Sequence, residues 1–292
     1  MSGAIACEQR QYETYVLSLT EPNSSIEIVP ARGGILTRWQ FQGKDIFYLD
    51  HERFTDPSLS VRGGNPILFP ICGNLPDNTY TYNGQSYTLK QHGFARDLPW
   101  QVVEQPMGDC PSILLRLKSN QQTREVYPFD FELLFRYTLH EDLLATEQTI
   151  INHSDDHPMP FALGFHPYFG VQDKQKLEFE IPSEEFQDQQ TKEVHPFKGD
   201  FDLERDELDL IFQTLSQNTA TIVDRHQGTR LKLEFSHAYA NLVFWTLKGK
   251  DFYCLEPWTA PRNAMNTGDR LLYLDPGASF ETSVNFYIEL LE

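Results

Sequence analysis

The sequence predicts an all-β protein, a large sandwich of antiparallel sheets. Three observations predict it: apolar residues recur at every second position over several stretches, an Asn-Gly pair joins two Tyr/Thr-rich arms, and no amphipathic helical pattern runs beyond about three turns, where an average domain is about one-third helix.

The elements follow in chain order. Residues 79–90, TYTYNGQSYTLK, place Asn83-Gly84 where a two-residue hairpin needs positive φ at both positions. Residues 113–117 alternate in the same way. In Phe131–Leu139 (FELLFRYTL) the apolar set is Phe131, Leu133, Phe135, Tyr137 and Leu139, with Glu132, Arg136 and Thr138 between them and Leu134 the exception. That is period two, a strand with one wet face. Leu231, Leu233 and Phe235 repeat it, as do Phe280, Val284, Phe286 and Ile288 in the final strand. Residues 183–209, SEEFQDQQTKEVHPFKGDFDLERDELD, are acidic and poorly periodic, and read as either a long surface excursion or an insertion over one sheet. No Gly/Ser linker divides the chain and no period of about 20–50 residues repeats, so one domain over residues 1–292 is expected.

Charge and cysteine usage exclude several functions. The 292 residues include 42 acidic and 24 basic ones, a formal net charge of −18. Such a chain repels nucleic acid and anionic membranes, and no basic run offsets this, so neither is expected as a partner. The N-terminus MSGAIACEQRQYE has neither the cationic start nor the apolar core of a signal peptide. The most apolar run, around residues 66–71, is too short to cross a bilayer. Cys7, Cys72, Cys110 and Cys254 form no C-x-x-C pair, so reduced, buried thiols in a cytoplasmic protein are expected.

Candidate chemistry narrows to three segments. His153 and His157 in NHSDDHPMP would face each other on a helix, but Pro158 and Pro160 argue for a turn, and no H-x-H pair occurs. No metal or other cofactor is expected. G-x-S-x-G, P-loop and dinucleotide turns are also missing from the sequence. What remains is Arg62 with His92 and Arg96 (VRGGNPILFP and QHGFARDLPW), His166 in LGFHPYFG, and Glu256 beside Trp258 in FYCLEPWTA. Each alone has a plain structural alternative, a hydrogen-bonded histidine or a solvated glutamate. Together, histidines, a carboxylate, arginines and tryptophans at strand ends are the makeup of a sugar site: rings cover the C–H face of a pyranose, and polar groups bind its hydroxyls.

GGNPILFPICG, then HGFAR-x-x-PW, then GFHPYF, then the E-P-W strand resemble the aldose 1-epimerase (galactose mutarotase-like) superfamily, near its hexose-6-phosphate mutarotase branch. The resemblance runs from about Val61 to the C-terminus and implies a large antiparallel β-sandwich. It implies His166 as general acid, Glu256 as general base, His92 as the group that binds and polarises the sugar, and Arg62 as pocket lining. An aspartate after the middle loop would bind ring hydroxyls; Asp209 in ELDLIF is the best match, with Asp206 and Asp202 close by. Trp258 is expected at the sugar; Arg96 either joins His92 at the sugar or, the reading preferred here, is structural and paired with an acidic neighbour. The residue types suit the reaction. Interchanging α and β anomers of a hexose requires a proton onto the ring oxygen and one off the anomeric hydroxyl, and an imidazole near neutrality with a carboxylate supplies both.

The expected function is therefore an aldose 1-epimerase, an isomerase acting on a small-molecule sugar. A free aldose is the expected substrate, because only Arg62 is placed at the pocket by motif and Lys90, Arg96 or Arg262 would have to supply a second cation for a phosphate. The alternatives are a glucose-6-phosphate 1-epimerase and a non-catalytic carbohydrate-binding protein on the same fold. A glycoside-processing enzyme would instead need two carboxylates about 5–10 Å apart.

Overall fold

A computed structural model describes residues 3–291. About 49% of the chain is strand and 9% helix, and the α-helical pieces are single turns such as His51–Thr55 and Gln121–Val126. The all-β expectation holds.

Two large sheets make the sandwich. The first has eight strands, whose centre is Ser279–Leu290, Leu143–Asn152, Phe131–Leu139 and Ser112–Lys118 side by side, all antiparallel. Its alternation is the one read from the sequence: Phe131, Leu133, Phe135, Tyr137 and Leu139 are buried, with Leu134 turned to the wetter face. The second sheet, which carries the site, runs Val194–Pro196, Glu185–Asp188, Glu207–Phe212, Asn241–Leu247, Phe252–Trp258, Gly164–Phe165 and Ile67–Leu68, with Tyr168–Gly170 also paired to Phe252–Trp258. A five-stranded sheet from Gly3–Gln9 to Lys44–Asp45 completes the fold. Aromatic contacts tie the layers: Phe135 meets Phe165 at 5.9 Å between ring centroids, Phe179 meets Phe244 at 5.2 Å, and Phe169 meets Phe286 at 6.3 Å. Phe135 also takes the edge of Trp100 at 5.0 Å and is wholly buried. Phe135→Ala is therefore expected to lower the unfolding free energy by about 3–5 kcal/mol, read as a lower midpoint in denaturant at unchanged slope.

The hairpin turn is as expected, with Tyr82 opposite Gln85 and positive φ at Asn83 (48°) and Gly84 (78°). Two expectations change. Residues 183–209 are not an irregular excursion: Glu185–Asp188, Val194–Pro196 and the start of Glu207–Phe212 extend the site sheet. The segment is pinned by buried Asp188, whose Oδ1 accepts from the Gln190 and Thr191 amides and whose Oδ2 pairs with Arg205 at 2.7 Å. Phe186, Phe197, Phe201 and Phe212 pack together beneath it. Cysteine burial also divides: Cys72 and Cys254 are buried, whereas Cys7 and Cys110 are exposed, because they lie on an outer strand and in a loop.

Candidate active site

The site stands on one face of the second sheet. In Phe252–Trp258 every residue is buried, so period two alone decides direction: Tyr253 and Leu255 face the sandwich core, and Cys254, Glu256 and Trp258 face the other way. On the neighbouring side, Gly164 pairs with Trp258 and Tyr168 pairs with Cys254. Two residues inside each of those pairs lie His166 and Glu256, directly opposite one another. Pro167 interrupts the ladder between the two short strands without changing this register. On the other side Trp245 faces Cys254, and Asp209 faces Trp245. Glu207 lies two residues before Asp209 and so shares its face. Of these, His166, Tyr168, Glu207, Asp209, Trp245, Glu256 and Trp258 line a cavity of about 370 Å³, together with Arg53, Arg62, Gln91, His92, Arg96 and Arg262. Asp202 and Asp206 do not line it; of the three aspartates considered from the sequence, only Asp209 does.

His166 Nε2 lies 3.4 Å from Glu256 Oε1, with both side chains nearly or wholly buried. The His166 ring stacks on Tyr168 at 4.7 Å and meets the edge of Trp245 at 5.8 Å. Glu256 Oε2 accepts from Trp258 Nε1 at 3.1 Å. Trp258 is fully buried and Trp245 half-buried, and both indoles line the cavity. Trp258 thus supports the carboxylate and also lines the cavity, where the sequence had put it at the sugar.

His92 owes its position to two glycines. Its own backbone is left-handed (φ 65°), and its amide donates to Gly73 O at 2.7 Å while Gly73 N donates back to His92 Nδ1 at 3.1 Å. A neutral His92 is thereby held with its proton on Nε2, the nitrogen left to serve the cavity. Gly93 comes so close to Phe69 that a Cβ would lie 2.1 Å from its carbonyl oxygen. This explains why His-Gly is needed at the bend of HGFAR.

Asp209 receives Arg262 Nη2 on both oxygens, at 3.0 and 2.9 Å, and the Arg262 guanidinium lies 5.1 Å over the Trp258 ring. Arg62 lies 6.0 Å from the Trp245 ring centroid. Arg96 lines the cavity and lacks the acidic partner its structural reading called for. It makes no ion pair among the described residues and donates from Nη2 to Gln91 O at 2.8 Å. Trp245, Glu207 and Arg53 were not singled out as site residues from the sequence. The alternation of NLVFWTL and ELDLIF carries Trp245 and Glu207, but only once the cross-strand register is known.

Burial governs the titration of the pair. It pushes the Glu256 carboxyl well above its ordinary range, with the Asp209 charge adding to this and Arg262, the Trp258 bond and Arg96 opposing it. It pushes His166 down to about 3, helped by Arg96 and Arg262, and pushes His92 down for the same first reason. His166 is therefore neutral here, not an imidazole titrating near neutrality. His166, Glu256 and Cys254 bring donor atoms within 4.8 Å of one another, the only such group among the described residues. The Arg96 and Arg262 charges beside that group oppose a further cation.

The family profile described as aldose 1-epimerase matches residues 15–287. The chain belongs to the aldose 1-epimerase family. Among solved structures it is similar to the Slr1438 protein of Synechocystis sp. PCC 6803, with 45% identity over 99% of this chain and 100% of that one, and a TM-score of 0.93. A galactose mutarotase-like protein of Clostridium acetobutylicum shares the fold at 21% identity, 99% coverage of both chains and a TM-score of 0.83. Among curated proteins it is similar to the chromosomal LacX protein of Lactococcus lactis subsp. lactis, 28% identical over 72% of this chain and 78% of that protein. Aldose 1-epimerase membership points to an isomerase acting on a small sugar. Among the described residues no helix is long and apolar enough to cross a membrane.

Proposed function

We propose that the protein interconverts the α and β anomers of an aldose by acid–base opening and closure of the ring, with His166 and Glu256 exchanging the protons and His92, Arg62 and Asp209 holding the sugar. One observation carries this reading: an imidazole and a carboxyl face each other at 3.4 Å on the wall of a cavity of sugar size. Both reacting oxygens of a hemiacetal are bonded to C1, so acid and base must stand this close together.

The proton count supports the same reading. Opening puts one proton on the ring oxygen and takes one from the anomeric hydroxyl, so the pair holds a single proton before and after. With His166 protonated and Glu256 ionised, the pair is ready for the cyclic sugar. Once the ring is open, His166 is neutral and Glu256 carries the proton. That second distribution is the one burial favours. The protein therefore spends its desolvation on the protonation state that accompanies the open aldehyde. Rotation about C1–C2 and reversal of both transfers give the other anomer. We read residues 1–292 as one functional domain, a reading supported by the contiguous core from Tyr15 to Ile288. The test is NMR exchange spectroscopy on fresh α-glucose, α-galactose and glucose 6-phosphate. Protein-dependent exchange is expected on at least one; acceleration of none of the three sinks the proposal.

A second reading, a phosphorylated aldose, is favoured by a specific observation. Arg53 and Arg62 both line the cavity without an ion pair among the described residues, and Arg53 Nε donates only to Ser60 O, at 3.1 Å. Two uncommitted guanidinium groups suit a phosphate. On this reading, kcat/KM for glucose 6-phosphate exceeds that for glucose, and Arg62→Ala removes about 10–100-fold from the phosphate substrate alone, the worth of a charge-assisted hydrogen bond. Equal losses on both sugars would leave the free aldose as the substrate.

A further inference from the structure

Glu207 lines the cavity and has no part in the proton transfers described above. It makes no ion pair among the described residues, although Arg53 and Arg62 line the same cavity. Neutral groups take its oxygens instead. Oε1 accepts from Trp245 Nε1 at 2.7 Å, the short end of the N–H···O range, and Oε2 accepts from Gln190 Nε2 at 3.2 Å.

We propose that Glu207 is a positioning residue: it fixes which way round the Trp245 indole sits, and through that indole holds His166 in place against Glu256. The inference rests on the acid–base reading of the pair above. Strand register explains the reach. Glu207 pairs with Leu247 and Asp209 with Trp245, so Glu207 stands diagonally across from the indole on the same face. Trp245 is only half-buried, and its ring stacks on Phe252 at 5.3 Å. Stacking sets the plane of the ring but not its flip about the last torsion, which is broad and two-fold. The bond to Glu207 chooses between the two flips, and so chooses the edge that meets His166 at 5.8 Å. His166 is packed between that edge and the Tyr168 ring, which stacks on it at 4.7 Å. A turned indole would free one side of the imidazole, and displacing a reacting group by about 1 Å costs on the order of 10²-fold in rate. Glu207 is itself held by the segment of residues 183–209. Asp188 accepts from the Gln190 amide at 2.8 Å and pairs with Arg205 at 2.7 Å, which fixes the turn whose Gln190 side chain reaches Glu207. That acidic segment thus supports the acid–base pair from outside the strands that carry it.

Glu207→Leu removes both acceptor oxygens at similar size. Glu207→Gln keeps an oxygen for the indole, and the Gln190 amide can turn over to face the new N–H₂ group. Anomer exchange is measured beside two NMR signals, the Trp245 indole N–H and the His166 ring protons, identified by their loss in Trp245→Phe and His166→Asn. In Glu207→Leu, kcat is expected to fall about 10–100-fold with KM changing less, the indole N–H to move upfield, and the His166 signals to move with it. Glu207→Gln should restore kcat toward the wild-type value. Trp245→Phe keeps a ring but has nothing to donate, so adding Glu207→Leu to it should cost less than about threefold more. Losses that simply multiply in the double variant overturn the inference. So does a lowered melting temperature in Glu207→Leu with unchanged turnover per folded molecule. If Glu207→Leu does not fold, Trp245→Phe breaks the same bond from the donor side, and unchanged kcat there overturns the inference. Wild-type protein that exchanges no sugar fails the epimerase reading alone. The His166 signals then decide: moved in Glu207→Leu they sustain the positioning role, and unmoved they overturn it.

Discussion

Glu256→Gln is expected to lower kcat by about 10²-fold or more while leaving sugar affinity nearly unchanged. The substitution keeps the shape, and the amide oxygen still accepts from Trp258 Nε1, the bond Glu256 now receives at 3.1 Å. What it removes is the ability to take up and return a proton. Stability separates this loss from a structural one. Burial raises the Glu256 carboxyl well above its ordinary 4.5. Its contribution is thus fully present below 4.5 and is lost as pH rises through the native value, because the unfolded chain releases a proton that the native state keeps. Glutamine has no such slope. Folded Glu256→Gln should accordingly be at least as stable as wild type at neutral and alkaline pH, measured by denaturant unfolding across that range, and still be slow. Full turnover per folded molecule would remove Glu256 from the mechanism.

The fold was legible in the sequence wherever one face of a strand is wet. Phe131–Leu139 shows this, its polar positions marking the outer face of a sheet whose partners repeat the pattern. The Asn83-Gly84 hairpin was legible because few residue pairs accept positive φ twice in succession. The strands at 185–188 and 194–196 were not, since pieces of three or four residues carry too little alternation. They are fixed instead by the contact of Phe186, Phe197, Phe201 and Phe212, which are scattered along the chain. In the site, residue types gave His92, His166 and Glu256, because an imidazole before proline and a carboxylate inside an apolar strand are costly to place without purpose. Only the register that sets His166 opposite Glu256 was hidden, since His166-Pro167 breaks the ladder. Partners were hidden as well. Arg96 lies one residue from Asp97 in sequence and makes no ion pair with it, and Trp258 lies two residues from Glu256 and donates to its carboxylate.

His166→Asn should lower kcat by a similar factor from the other side of the pair, about 10²-fold or more. Combined with Glu256→Gln, the loss should be less than the product of the two, because one transfer accomplishes little when the other is blocked. The variant also carries a signature that loss of packing cannot imitate. Burial, with Arg96 and Arg262 beside it, takes the native imidazole from its ordinary 6.5 down to about 3. Stability linked to His166 is therefore fully present above 6.5 and is lost as pH falls toward 3, where the unfolded chain takes up a proton that the native state refuses. Asparagine abolishes that contribution. It fills less of the space between Tyr168 and Trp245, so the variant should start from lower stability at neutral pH and then lose less of it on acidification. Buried His92 is depressed in the same direction and remains in the variant, so the acid slope should shrink without vanishing. Unfolding free energies measured from pH 7 to pH 4 read this directly. An unchanged slope would mean that His166 is accessible to protons in the native state, and the proton-sharing pair on which the proposed mechanism depends would have to be abandoned.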